Sequence, residues 1–170
     1  DTPAEPTKPE GVADEQIVKI LYTSEISDWN PLHPSAAGTW CNWIDTLVEY
    51  DNYGLCQPCL AESWTKSEDG LTWTFKIREG VKWVNCEGNA VADVTAHDFV
   101  SAARLVADPE FDSDMPDMLI SYIVNGIELY NWSYETAEPD FTTLGVVAVD
   151  DYTLEYHLRQ PCAYFLTLLT

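Results

Sequence analysis

Leu60-Ala61-Glu62-Ser63-Trp64 leads through Asp69-Gly70 into the run Thr72 to Trp83, and Thr95-Ala96-His97-Asp98-Phe99-Val100 follows after a polar loop. Leu71, Trp73, Phe75 and Ile77 alternate with Thr72, Thr74, Lys76 and Arg78. A period of two belongs to a strand with one face buried and one wet. Asp69-Gly70 stands where a hairpin must reverse, because glycine accepts positive φ without a Cβ clash. Thr95 followed by Asp98 has the spacing of a helix N-cap with an acidic residue at N3, and Asp108-Pro109 stops the helix that starts at Ala96. The stretch therefore reads as strand, tight turn, longer strand over Thr72–Trp83, loop and capped helix.

Taken together, Leu60-Ala61-Glu62-Ser63-Trp64, the Asp69-Gly70 turn, Thr74 to Trp83 and Thr95-Ala96-x-Asp98-Phe99-Val100 resemble the N-terminal signature of the peptide-binding solute receptors, family 5. These receptors serve ABC importers for oligopeptides, dipeptides, nickel complexes and some sugars. The resemblance extends less sharply from Ile17 to Leu169. One departure is Val84-Asn85-Cys86-Glu87-Gly88-Asn89-Ala90, a longer loop than the family's short Asp-Gly turn after Lys-Trp.

The resemblance implies an α/β, periplasmic-binding-protein-like fold, here a fragment with a small mixed sheet, hairpins and flanking helices. It divides the chain into a linker or tether at 1–16, an N-terminal segment of lobe I at 17–44, and an accessory α/β subdomain of the same lobe at 45–170, truncated at its C-terminal end. It implies oligopeptide capture outside the membrane and delivery to permease subunits, by a monomer held by a lipid anchor outside this chain. The location is then the surface of a single-membrane bacterium, or a periplasm. By position in the family, Ser35, Ala36, Ala37 and Gly38, with Trp40 beside them, lie at the ligand cleft, and Phe111 and Met115 are the nearest aromatic or apolar candidates in the loop that reaches it. Alternative cargoes are a sugar, a nickel complex or haem.

Composition bounds other readings. A chain of 170 residues with 46% hydrophobic content suits one domain, or one plus a piece of another, and buries roughly 70% of its unfolded surface. No apolar run approaches the ~20 residues of a spanning helix. The opening residues carry neither an initiator Met nor a signal-peptide pattern, so any export signal is expected to have been removed or left out of this sequence. With 29 acidic against 8 basic residues, the formal charge of −21 repels phosphate backbones and anionic headgroups and argues against nucleic acid. The acids show no EF-hand spacing.

Cys56-Gln57-Pro58-Cys59 has redox spacing, yet it leads into a strand without a surrounding βαβ pattern. No second Cys-x-x-Cys and no His pair at i, i+4 completes a zinc site. His33, His97 and His157 are scattered, and no nucleophile elbow or His-Glu-x-x-His run is present. Catalytic residues, metal ligands and cofactors are therefore not expected. A secreted redox or metal-binding module, or a carbohydrate-binding module, remains the reading from another class.

The remaining segments follow in order. Residues 1–16 hold three prolines and little that is apolar, the composition of a linker. Ile17–Tyr22 reads as a strand, Trp40–Leu47 as a helix with Trp40, Ile44 and Leu47 on one face, and Val48–Tyr53 as strand and turn ending at Gly54. Met118–Trp132 has helical spacing, with Gly126 as its weak point. Leu144–Val149 and Thr153–Arg159 read as a second hairpin turning at Asp150-Asp151, and Tyr164–Leu169 as the start of another helix. Among the aromatics, Trp73 and Phe75 belong to the core, Trp64 and Trp83 are expected to pack the sheet, and Trp29, Trp40 and Trp43 flank the proline-rich loop as ligand-facing candidates.

Overall fold

The computed structural model describes residues 44–111, 113, 120–135 and 137–170. The expected first strand at Ile17–Tyr22 and the start of the helix at Trp40 lie outside them. Residues 44–47 are not helical. Thr46 O accepts the Leu60 N–H at 3.0 Å and Leu47 O the Ala61 N–H at 2.9 Å, so this backbone is spent on pairing rather than on a helical ladder. It runs straight into β1 (Val48–Tyr50), which pairs antiparallel with β2 (Cys56–Pro58) to form a two-stranded ribbon.

β3 (Ala61–Lys66) and β4 (Thr72–Ile77) are the hairpin read from the sequence. Its turn holds Gly70 at φ 72°, and Asp69 Oδ1 accepts the Leu71 N–H at 3.0 Å and the Ser67 hydroxyl at 2.6 Å. A bulge between Ala61 and Ser63 shifts the register. Ala61 and Trp64, three apart, would face opposite ways in a regular strand; the extra residue turns both inward, opposite Ile77 and Phe75.

The longer strand expected over Thr72–Trp83 is two strands. The backbone turns at Glu79-Gly80, and β5 (Lys82–Val84) leaves the main sheet to pair with β6 (Ala90–Asp93) as a second ribbon, tied by the Lys82–Asp93 ion pair. Trp83 is consequently 45% exposed instead of packing the sheet. Trp64 does pack it, with its ring 6.5 Å from that of Phe75.

α1 (Ala96–Ala107) begins as the Thr95/Asp98 spacing predicts: the Asp98 carboxylate accepts the Thr95 N–H at 2.7 Å and its hydroxyl at 3.3 Å. It ends before Asp108-Pro109. The helix expected over Met118–Trp132 is broken where it is described. A 3₁₀ turn at Ile120–Tyr122 precedes α2 (Gly126–Tyr130), and between them Ile123 bridges antiparallel to Leu158 while Val124 N–H donates to His157 O at 2.9 Å. Two β-branched residues thus take a place beside the sheet, and Asn125 at φ 59° redirects the chain. Gly126 permits the tight return: a Cβ there would lie 2.2 Å from Ile120 O.

β7 (Val146–Asp150) and β8 (Thr153–His157) form the second hairpin. β8 also pairs with β4, giving a four-stranded sheet in the order β3-β4-β8-β7, antiparallel throughout. Trp73, Phe75, Ile77, Leu154, Tyr156 and Val146 form its buried face, covered by α1 and by Phe165 from a 3₁₀ turn at Phe165–Leu169 where the sequence predicts a helix. The Phe165 ring lies 5.5 Å from Trp73 and 5.4 Å from Tyr156. The Trp73 indole N–H finds no acceptor among the described residues.

Candidate functional site

Of the predicted ligand-facing set, Ser35, Ala36, Ala37, Gly38, Trp40 and Met115 lie outside the described residues, as do Trp29 and Trp43. Phe111 is described. It sits half-buried in the turn that leaves α1, where its N–H donates to Asp108 O at 3.1 Å.

This corner is tied down by residues that the sequence reading did not assign to it. Asp108 Oδ1 accepts the Glu110 N–H at 3.0 Å and the Tyr134 hydroxyl at 2.9 Å. Farther along the loop, Ser113 is buried, and its carbonyl accepts the Tyr130 hydroxyl at 3.2 Å. Two tyrosines four apart, one at the end of α2 and one just beyond it, thus clamp the loop's root. Lost hydration, then donation to the Asp108 carboxylate and the nearby charges of Glu110 and Glu138, push the Tyr134 hydroxyl up to about 12. Tyr130 is legible as part of a helical stripe; only the acidic residue ending α1 hints that a hydroxyl must meet it.

On the other flank of α1, Val100, Arg104, Pro139, Asp140, Phe141, Thr142 and Leu144 line an open depression of about 360 Å³. That is the lower end of ligand-pocket sizes. Its polar groups are already engaged. The Arg104 guanidinium stands 4.8 Å over the Phe141 ring. Asp140 Oδ1 accepts the Thr142 hydroxyl at 2.6 Å and its N–H at 3.0 Å, which holds the carboxyl below its ordinary value.

Among the described residues no group of three or more His, Cys, Asp or Glu side chains is placed to hold a metal ion, and no helix is long and apolar enough to cross a membrane. The Cys56–Pro58 segment is extended, which separates the Cα atoms of Cys56 and Cys59 by about 10 Å, beyond the ~7 Å limit for a disulfide. Burial, then the charges of Asp45 and Glu49, push the Cys59 thiol up, opposite to what a reactive thiolate needs.

The chain resembles known proteins throughout this unit. Residues 56–170 match the family described as bacterial extracellular solute-binding proteins, family 5 Middle. The oligopeptide-binding protein AmiA of Streptococcus pneumoniae is 45% identical over 129 residues, 76% of this chain and 19% of that protein. The oligopeptide-binding protein SarA of Streptococcus gordonii is 36% identical over 154 residues, 89% of this chain and 22% of the relative. Among solved structures, the substrate-binding domain of an oligopeptide ABC transporter from Bacillus anthracis superposes with a TM-score of 0.62 at 38% identity, covering 74% of this chain and 22% of the other. The chain spans about a fifth of the length of the curated relatives it matches. With more than half its length inside the family's profile, this chain is a member of the bacterial extracellular solute-binding proteins, family 5.

Proposed function

We propose that this chain is part of an extracytoplasmic receptor that captures oligopeptides and hands them to the permease subunits of an ABC importer. The observation that carries the reading is the 45% identity to a protein named for oligopeptide binding. Residues 45–170 are the accessory α/β subdomain of one lobe, 17–44 open that lobe, and 1–16 tether it to a lipid anchor outside this chain. The receptor works as a monomer outside the cytoplasmic membrane and has no catalytic role. Ser35–Gly38, Trp40, Phe111 and Met115 are the side of the cleft that this chain contributes. The backbone corner at Phe111, fixed by its N–H bond to Asp108 O and by the tyrosine contacts to Asp108 and Ser113, supports that role, since a preorganised loop root costs less to order on binding.

Two lobes closing over a ligand gain affinity from both surfaces. This chain spans about a fifth of the length of its relatives and supplies one side of such a cleft, so the 170-residue chain alone binds peptides negligibly. Isothermal titration of the full-length receptor with mixed-sequence peptides tests the reading: the expected Kd is on the order of 1 μM or tighter. No heat of binding with any peptide length overturns it. Micromolar binding by the 170-residue chain overturns the half-site.

A further inference from the structure

We infer that Asn125-Gly126 is a self-modification site whose deamidation the fold gates: held shut in the folded chain, opened when the corner at 120–126 comes off the sheet, and one-way once it has happened. It is the one Asn-Gly step in the 170-residue sequence. The reaction needs only water. The Gly126 nitrogen gives up its proton and bonds to Asn125 Cγ, ammonia leaves with Nδ2, and water opens the five-membered imide. Hydrolysis of the new Cγ–N bond leaves aspartate; hydrolysis of the original peptide bond leaves isoaspartate, joined to Gly126 through Cγ. Nothing is oxidised or reduced. Glycine in second place makes the attack easy, because no Cβ screens its nitrogen.

The folded corner holds the reacting atoms apart. Asn125 is the one non-glycine residue with positive φ among the described residues, at φ 59° and ψ 6°. With ψ near zero the Gly126 nitrogen eclipses Asn125's own nitrogen and is turned away from Cγ, so ring closure requires a large rotation about the Cα–C bond. Gly126 cannot follow that rotation in place. It is buried, its N–H donates to Ile123 O at 3.1 Å, and Ile120 O stands 2.2 Å from the position a Cβ would take. The amide that must leave is bonded as well, with Nδ2 donating to Thr143 O at 2.9 Å. Asparagine tolerates a left-handed backbone better than most residues, so the side chain that suits this turn is also the one its glycine neighbour can attack.

Opening is a local event, since proteins open in pieces well short of global unfolding. Val124 N–H donates to His157 O and Val124 O accepts the Gly145 N–H, both at 2.9 Å. Parting these bonds and the Asn125–Thr143 bond frees the rotation while the β3-β4-β8 ladder stays paired. Reclosing on the same terms is then barred. Aspartate at 125 has no N–H to give Thr143 O and sets a negative charge beside it, and isoaspartate adds one carbon to the backbone where Gly126 has no space against Ile120. The chain thereby keeps a record of having opened. Asn52, Asn85 and Asn89 are exposed, yet they are followed by Tyr, Cys and Ala, whose side chains screen the attacking nitrogen.

Peptide mapping by mass spectrometry tests the gate. The 170-residue chain is kept in mildly alkaline buffer, one sample folded and one unfolded in urea, and the conversion of each asparagine is followed, with an isoaspartate-specific methyltransferase marking the rearranged product. In urea Asn125 is expected to convert faster than Asn52, Asn85 and Asn89; a rate no higher than theirs overturns the site. In the folded sample Asn125 is expected to convert at least about tenfold more slowly than in urea, which corresponds to about 1.4 kcal/mol of opening free energy. Equal rates in the two states overturn the gate. The one-way step is read separately: chain aged in urea and then refolded, and chain carrying Asn125→Asp, are both expected to melt below the parent, and melting temperatures equal to the parent's overturn it. Should Asn125→Asp fail to fold, the aged sample and the two rates, which use the parent chain alone, still decide.

Discussion

Replacing Phe165 by alanine tests whether the last turn of the described chain belongs to the core or merely rests near it. Chain ends commonly fray, and a 3₁₀ turn has poor hydrogen-bond geometry of its own. Yet Phe165 is fully buried, 5.5 Å from Trp73 and 5.4 Å from Tyr156. Burying a phenylalanine side chain stabilises by about 1.5–3 kcal/mol, and the void left between two large rings that cannot collapse into it adds more. Phe→Ala substitutions at such sites cost about 3–5 kcal/mol. Set against a net stability of about 5–15 kcal/mol, that loss brings the unit close to unfolding. Equilibrium urea titration of the 170-residue chain, followed by tryptophan fluorescence and far-ultraviolet dichroism together, reads the change as a lower midpoint at unchanged m. Leu105→Ala, at a site 40% exposed, serves as the control and is expected to cost about 0.5 kcal/mol. A Phe165→Ala loss no larger than the control would show that the turn is frayed in solution, and the packing argument for it would fall.

Two further predictions address backbone fit and the clamp. Gly126→Ala sets a Cβ 2.2 Å from Ile120 O and 2.8 Å from Ile120 Cγ2; because backbone must move, the loss is about 1–3 kcal/mol, and a calorimetric melting temperature equal to that of the parent chain refutes the close approach. For Tyr134, the folded hydroxyl is pushed up to about 12, above its ordinary value of 10.0, so between those values the folded state holds a proton that the unfolded chain has lost. Stability from this group is complete below pH 10 and is lost as pH rises through 12. Tyr134→Phe should therefore flatten the fall of the urea midpoint over that range, and an identical slope in the two proteins refutes the bond to Asp108.

What the sequence displays and what it hides divide by range. The β3–β4 hairpin, the Thr95 cap, the stop at Asp108-Pro109 and the β7–β8 hairpin are legible because each is decided within a few residues, by alternation, a glycine turn or a cap. The misread segments were decided by partners far along the chain. Residues 44–47 carry helical spacing but give their carbonyls to Cys59, Leu60 and Ala61. Ile123 and Val124 fall within the predicted helix but are taken up at the end of β8, by Leu158 and His157. Gly80 is visible in the sequence as a glycine; that the chain would use it to leave one sheet for another ribbon is not. Phe111 is visible only as an aromatic in a loop rich in Asp and Pro, and the Tyr130 and Tyr134 contacts that tie that loop's root come from farther along the chain, which spacing does not display.

The residues that make the family signature conspicuous are also the ones least able to report on a ligand. Ala61, Trp73, Phe75, Ile77 and Ala96 are buried, Trp64 packs on Phe75, and Asp98 is occupied by Thr95. Their spacing is what a bulged hairpin, a reversing turn and a capped helix need to fit against one another whatever is carried. A scaffold of this kind tolerates change in its clefts without change in its motifs. The strength of the match is thus a statement about how this unit folds. Nothing in those residues, all engaged in packing or capping, distinguishes one cargo from another.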